Sequence, residues 1–183
     1  MLRQSQKSVE NSQAVGLAIR PADAVDCNAI AQVFMESSEH HASLDSELFF
    51  IPDRSMVTER YREGHQHPSD KHDECITLVA EFDGEVVGFV DARLDRPTDP
   101  MHREMVFCHI VELAVARRFQ SKGIGAQLLQ GAEQWGRQLG AHIALLEHNQ
   151  ANSRASAFYR QRMGYRVTSI TLIKKLECLS DGV

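Results

Sequence analysis

Two consecutive stretches constrain this chain more than any others. The first is Ile110-Val111-Glu112-Leu113-Ala114-Val115, and the second is Gln120-Ser121-Lys122-Gly123-Ile124-Gly125. The first run is apolar apart from Glu112. The second carries two glycines two residues apart and opens an amphipathic segment. That order reads as strand, tight turn, helix. Glycines without a Cβ let the backbone approach a ligand closely. The first amides of the following helix have no partner inside the helix, and the helix dipole adds partial positive charge there. A turn of this kind either holds a phosphate or pyrophosphate or only packs a helix on a strand.

Two familiar phosphate loops do not fit. No Gly-x-x-x-x-Gly-Lys string followed by Ser or Thr occurs in the chain. A dinucleotide fingerprint read from Gly123 would need a third glycine at position 128, which is Leu128. What fits is Gln/Arg-x-x-Gly-x-Gly/Ala after a strand. That pattern resembles the pyrophosphate loop of the GNAT family of N-acetyltransferases. Asn152-Ser153-Arg154-Ala155-Ser156-Ala157-Phe158-Tyr159, followed by Met163-Gly164-Tyr165, resembles the second signature of the same family. The two motifs stand in the family's order and at about its usual separation. The detailed match covers residues 106 to 166, and the amino-terminal half agrees in pattern only.

Bulk properties agree with a soluble globular protein. The 183 residues suit one domain, and 43% hydrophobic with 25% charged residues are ordinary values. No stretch reaches the roughly 18 apolar residues that span a bilayer. Met1 to Ser12 is too polar for a secretory signal. A net charge of -5 without a basic stripe argues against nucleic acid as a partner. Cys27, Cys75, Cys108 and Cys178 form no Cys-x-x-Cys pair, which points to a reducing, cytoplasmic setting and away from a zinc ribbon. Cys108 reads as a small core residue.

Periodicity predicts a mixed α/β chain. A strand runs from Ala14 to Arg20, and a helix begins at Ala22-Asp23. A second helix spans Met56 to Glu63, and a loop follows to Asp73. Strands at Cys75 to Phe82 and Glu85 to Leu94 are joined by the hairpin signal Asp83-Gly84. Further strands are expected at Met105 to Val115 and Ala141 to Leu146. The helix between them carries Ile124, Leu128, Trp135 and Leu139 on one face, and Gly140 stops it. A helix from Asn152 to Met163 and a final strand or hairpin from Tyr165 to Leu176 complete the order. The strand-helix-strand unit 106 to 146 is expected to be parallel and right-handed. The expected organisation is a leader at 1–13, one domain at 14–178 and a tail at 179–183. The resemblance implies a twisted mixed sheet of about six or seven strands flanked by about four helices. It also implies a V-shaped splay between the fourth and fifth strands.

The resemblance further implies acetyl-CoA as co-substrate. The amides of Gln120, Ser121, Lys122, Gly123, Ile124, Gly125 and Ala126 would face the pyrophosphate. The main chain of Leu113, Ala114 and Val115 would pair with the pantetheine arm, as would Asn152. Leu113 and Val115 read equally as core residues, Asn152 as a helix cap, and Lys122 as a solvated side chain.

Amine acetylation also needs a proton acceptor. Glu112 is the only charged residue in its apolar run, where desolvation raises a carboxylate's proton affinity. The alternative is a strand carboxylate satisfied by a neighbouring arginine. His109 is the rival base, since histidine titrates near neutrality. Strict alternation puts the two on opposite faces, and a β-bulge would relax that. Tyr159 matches the family tyrosine that protonates the leaving sulfur, or else packs its helix beside Phe158.

His65, His67 and His72 read as a solvated loop, and no metal site is expected. Phe49, Phe50, Tyr61 and the pair His40-His41 either line the acceptor pocket or belong to the core. The expected activity is direct acetyl transfer to a primary amine, on a small molecule or a peptide. A homodimer is compatible with the family. The alternatives are a non-catalytic acyl-CoA-binding regulatory module and an N-terminal protein acetyltransferase.

Overall fold

Asp83 and Gly84 both adopt left-handed backbone, with φ of 52° and 80°, as a two-residue hairpin turn requires. They fix the register of a sheet in the computed structural model, which describes residues 16–66, 74–97, 99–101 and 103–176. The turn joins β2 (Cys75–Phe82) to β3 (Glu85–Asp95). β1 (Leu17–Pro21) lies antiparallel along β2, and β4 (Phe107–Val115) lies antiparallel along β3. β5 (Ile143–Leu146) runs parallel to β4, closing a sheet of order β1-β2-β3-β4-β5.

The chain has one boundary between compact units, at Asn149/Gln150. In the first unit, α1 (Cys27–Leu44) and α2 (Arg54–Gln66) cover one face of the sheet. Their core residues Ile30, Val33, Val57 and Tyr61 bury against Val79 and Phe89. Asp23 opens the segment with a capping box over a 3-10 turn, Ala24–Asp26, which satisfies donors that the helix start leaves over. Arg20 ties that turn back to the sheet through Asp26 at 2.7 Å and Glu81 at 2.8 Å.

α3 (Ile124–Gln138) packs on the other face. Its buried stripe is Ile124, Leu128, Leu129, Ala132 and Gly136. Trp135 is only half-buried, and Leu139 is 42% exposed at the C-cap. The helix sits lower on the sheet than the predicted stripe implied, because two glycines bring it close. A Cβ on Gly131 would meet Leu78 at 3.0 Å, and one on Gly136 would meet the Cβ of Cys108 at 2.5 Å. Cys108 is core, as expected. Its thiol donates to the Ala132 carbonyl at 3.4 Å, and burial pushes its pKa up to about 11.

In the second unit, Asn152 caps α4 (Ser153–Ala157) by accepting from the Ala155 amide at 3.0 Å. The helix widens into a π turn, Phe158–Arg162, and Gly164 follows with φ of 78°. The predicted strand from Tyr165 to Leu176 does not form. The sheet therefore has five strands among the described residues rather than six or seven. Val167, Ile170, Leu172, Ile173 and Leu176 are exposed. β-branched composition marks a segment that fits a pleated surface, but a strand exists only where a ladder partner takes its backbone groups. The leader 1–13, His67, His72 and the tail 179–183 lie outside the described residues.

Candidate active site

The β4–β5 ladder runs from Phe107↔Ile143 to Ile110↔Leu146 and stops there. From Val111 to Val115, β4 keeps β3 as a neighbour on one side and has no strand on the other among the described residues. Pairing therefore ends in the middle of β4, between the two strands where the family resemblance implies a splay. Leu113, Ala114 and Val115 lie along this open edge.

The edge leads into the glycine turn. A 3-10 turn, Arg117–Phe119, follows β4, and the Gln120 amide group donates to the Val115 carbonyl at 2.9 Å. Ser121 has φ of 63° and Gly123 has φ of 86°. Gly123 is the N-cap of α3, and no side chain caps the helix. The amides of Ala126 and Gln127 turn back to the Gly123 carbonyl, at 3.1 Å and 3.2 Å. The first amides of α3 thus point out of the helix end, beside the open edge of β4. This is a cradle of backbone donors.

The cations nearby divide into two kinds. Arg117 is committed to Glu39 at 2.6 Å, and its own amide donates to Glu36 at 2.7 Å. Arg118 pairs with Glu85. Lys122 has no carboxylate partner among the described residues, and its ammonium lies 4.9 Å from the Phe119 ring centre.

Glu112 faces α1 and α2. A register shift between Asp91 and Ala92 pairs Asp91 with Glu112 and Ala92 with Ile110, so Val111 is an extra residue on β4. This is a bulge of the kind that relaxes strict alternation. It puts Glu112 and His109 on the same face, since opposed residues share a face and their partners Asp91 and Arg93 are two apart. Their surroundings differ. His109 Nδ1 lies 2.7 Å from Asp95 and 3.2 Å from Arg93. Glu112 is half-buried and accepts from the Ser37 hydroxyl at 3.1 Å. Among the described residues no arginine forms an ion pair with it, contrary to the structural alternative for this residue. Burial pushes its pKa above the usual carboxylate range. The Asp91 charge adds to that, while Ser37 and the more distant Arg60 work against it.

Asp91 was not singled out from the sequence. It accepts from the Tyr61 hydroxyl at 2.9 Å and the Thr77 hydroxyl at 2.7 Å. Burial raises its pKa too, against those two hydrogen bonds. The signal that marked Glu112 was present: Asp91 is the lone charge in Val86-Val87-Gly88-Phe89-Val90-Asp91-Ala92. Tyr61 is buried core as well as a donor into this site. The Arg60 guanidinium lies over the rings of Tyr61 and Phe34, at 5.6 Å and 6.0 Å. Phe49 packs on His41 with ring centres 5.2 Å apart, and Phe50 is 79% exposed.

Asn152 and Tyr159 belong to the second unit. There the Tyr159 ring packs edge-on against Phe158 and Tyr165, at 5.1 Å and 6.0 Å. Among the described residues, no group of histidines, cysteines and carboxylates could hold a metal ion.

The family model described as "Acetyltransferase (GNAT) family" matches residues 39–165, a span that holds both the open edge and the uncapped turn. The chain belongs to the GNAT family of acetyltransferases. This GNAT protein is accordingly an N-acetyltransferase that takes its acetyl group from acetyl-CoA. It is 28% identical over 143 residues to an uncharacterised N-acetyltransferase of Archaeoglobus fulgidus, across 78% of this chain and 89% of the relative. Its fold is similar to that of the BH1408 protein of Bacillus halodurans, solved as a tetramutant. That comparison gives a TM-score of 0.76 at 20% identity, over 87% of this chain and 99% of that one. It is also similar to an aminoglycoside N-acetyltransferase, AAC(6')-Iy, solved with CoA. There the TM-score is 0.70 at 15% identity, over 91% and 99% of the two chains.

Proposed function

We propose that this GNAT enzyme acetylates a primary amine, on a small molecule or a peptide, by direct transfer within a ternary complex. The observation that carries the reading is the nearness in sequence of two sets of backbone donors, the β4 edge beyond its ladder with β5 and the uncapped start of α3. On this reading the edge of Leu113 to Val115 takes the pantetheine arm as an added strand, and the amides from Lys122 to Gly125 hold the pyrophosphate, since those of Gln120 and Ala126 are given to the Arg117 and Gly123 carbonyls. Asn152 matches the family residue that binds the arm.

Glu112 is the proton acceptor in this scheme. A lysine-like amine is mostly ammonium at neutral pH, so it must lose a proton before it can attack. Glu112 takes that proton. The amine nitrogen then bonds to the acetyl carbonyl carbon, and the bond from that carbon to sulfur breaks. By resemblance to the family, Tyr159 gives a proton to the departing sulfur, and the second proton that the nitrogen sheds as the amide forms restores the tyrosine hydroxyl. An amide of the β4 edge polarises the acetyl carbonyl. His109 is the alternative acceptor, with Nδ1 engaged by Asp95 and Arg93 and Nε2 left as the nitrogen that would take the proton.

The acceptor is an amine in proteins of similar fold. AAC(6')-Iy has been solved with a bisubstrate analogue joining CoA to an acetylneamine, and a glucosamine-6-phosphate N-acetyltransferase from Arabidopsis thaliana also shares the fold. Free Cys27, Cys75 and Cys108 support a reducing, cytoplasmic location. No helix among the described residues is long and apolar enough to cross a membrane.

Thiol release from acetyl-CoA across a panel of polyamines, aminoglycosides, amino acids and short peptides tests the reading. Gly123→Glu should abolish CoA binding in a folded protein, because it places bulk and charge on a left-handed residue in the cradle. Unchanged CoA affinity in that variant would remove the basis of the proposal. Cofactor binding without thiol release from any amine would favour the regulatory module instead.

A further inference from the structure

Asp91 and Glu112 are directly opposed on neighbouring strands, and Val111 is bulged out beside them. Opposed side chains on one face have Cβ atoms about 4.5–5.5 Å apart, and like charges there repel. A partner of no more than structural value would be neutral. The sequence instead puts a second carboxylate there and anchors it. Both Asp91 oxygens are held from outside the β3–β4 pair, Oδ2 by Tyr61 of α2 and Oδ1 by Thr77 of β2. Its position is therefore fixed, whereas Glu112 has a single neutral donor, Ser37 of α1.

We infer that Asp91 is a positioning residue for the reaction, a carboxylate braced by Tyr61 and Thr77 that sets how readily Glu112 takes up the acceptor's proton. This rests on the reading of Glu112 as the base. A fixed negative charge across the ladder opposes ionised Glu112 and favours its neutral acid. Glu112 thereby gains the drive to accept a proton from an ammonium, and taking that proton relieves the repulsion. Burial acts in the same direction.

The other groups facing Glu112 do not supply this effect. Ser37 on α1 stabilises the ionised form. Arg60 on α2 also does so, from an exposed position over the Phe34 and Tyr61 rings. Tyr61 is spent on Asp91, which holds its hydroxyl protonated to far above the usual pKa, with burial the larger cause. His109 on β4 is held by Asp95 and Arg93. His41 stands one helical turn beyond Ser37. Burial lowers its pKa, and its buried Nδ1 has no partner among the described residues. Asp91 is thus the negative group that acts on Glu112 from the facing strand.

The test is a carboxyl-carbon NMR titration of the full chain, with the Glu112 resonance identified by its loss in Glu112→Gln. Asp91→Asn should move the Glu112 midpoint to lower pH while the fold is retained. Tyr61→Phe should move it the same way. Without the hydroxyl, Asp91 keeps its own proton longer and no longer repels Glu112. The acid limb of kcat/KM for the amine found in the thiol-release assay should shift with the NMR midpoint, leaving the alkaline plateau in place. An inactive Glu112→Gln beside an unmoved Glu112 midpoint in both folded variants would overturn the role of Asp91 alone. Full turnover in Glu112→Gln would overturn the base assignment, and the role of Asp91 with it.

Discussion

Gly136 of α3 lies so close to Cys108 of β4 that a Cβ on the glycine would stand 2.5 Å from the Cβ of the cysteine and 2.7 Å from its sulfur. The strand that carries the open edge and the helix that carries the cradle are therefore locked together where the Gly136 backbone meets the Cys108 side chain. Cys108 cannot yield, because its Cβ is fixed to a central strand.

Gly136→Ala should consequently destabilise the protein by about 1–3 kcal/mol through overpacking. The gain of up to about 1 kcal/mol in helix propensity does not cover that loss. Gly131→Ala provides the contrast. Its nearest neighbour is the Leu78 Cδ1 at 3.0 Å, the end of a flexible side chain. Propensity and crowding should nearly cancel there. Chemical denaturation of both variants checks the difference, and equal losses would show that the contact at Cys108 is not special.

Arg20 holds a second joint. Asp26 is 5% exposed, and its carboxylate accepts from Arg20 at 2.7 Å and from the Asp23 amide at 2.7 Å. Arg20→Ala takes both guanidinium hydrogen bonds away from a buried carboxylate. Removing one partner of a buried pair is costly, and the one-third exposure of Arg20 moderates it. We expect a loss of about 2–3 kcal/mol, or roughly 5–10 °C in Tm for a chain of this size. In a double-mutant cycle with Asp26→Ala, the two losses should be less than additive.

Much of this fold was legible in the chain. Asp83-Gly84 fixed a hairpin because two consecutive left-handed residues admit little else. The glycine turn marked the start of α3 because only an uncapped, crowded turn needs that composition. The site was legible only in part. Glu112 stood out as a lone charge in an apolar strand. Asp91 carries the same mark on β3, but its importance depends on register, and register depends on a bulge at Val111 that local composition does not announce. Ser37 was invisible because nothing in α1 says which of its polar residues meets β4. Tyr165 to Leu176 misled for the opposite reason. Its β-branched residues describe a suitable surface, but the ladder is made by a partner that the segment does not encode.

Ser37 gives a signed pH prediction. Its hydroxyl stabilises ionised Glu112. The base must be ionised to accept a proton, so activity should fall as pH drops through the raised pKa of Glu112. Ser37→Ala removes the donor and raises that pKa further. The acid limb of kcat/KM should therefore move to higher pH, opposite to the shift expected for Asp91→Asn, with little change on the alkaline side. A limb that stays in place would mean that Glu112 is not the titrating group.

Lys122 provides a prediction that separates charge from backbone in the cradle. It has no carboxylate to neutralise it among the described residues, and it rests over Phe119 at 4.9 Å, next to Gly123. If its role is to offset phosphate charge, the contribution is that of an exposed ion pair, about 1 kcal/mol or roughly fivefold in affinity. Such a contribution is screened by salt over about 8–10 Å near physiological ionic strength. Lys122→Met should thus weaken CoA binding about fivefold at low salt and by less than twofold at 1 M salt. Gly123→Glu should abolish binding at both. Calorimetric titration with CoA at the two salt concentrations distinguishes the cases. A Lys122→Met variant that binds as tightly as the parent at low salt would leave the main-chain amides and the helix end as the whole of the phosphate grip.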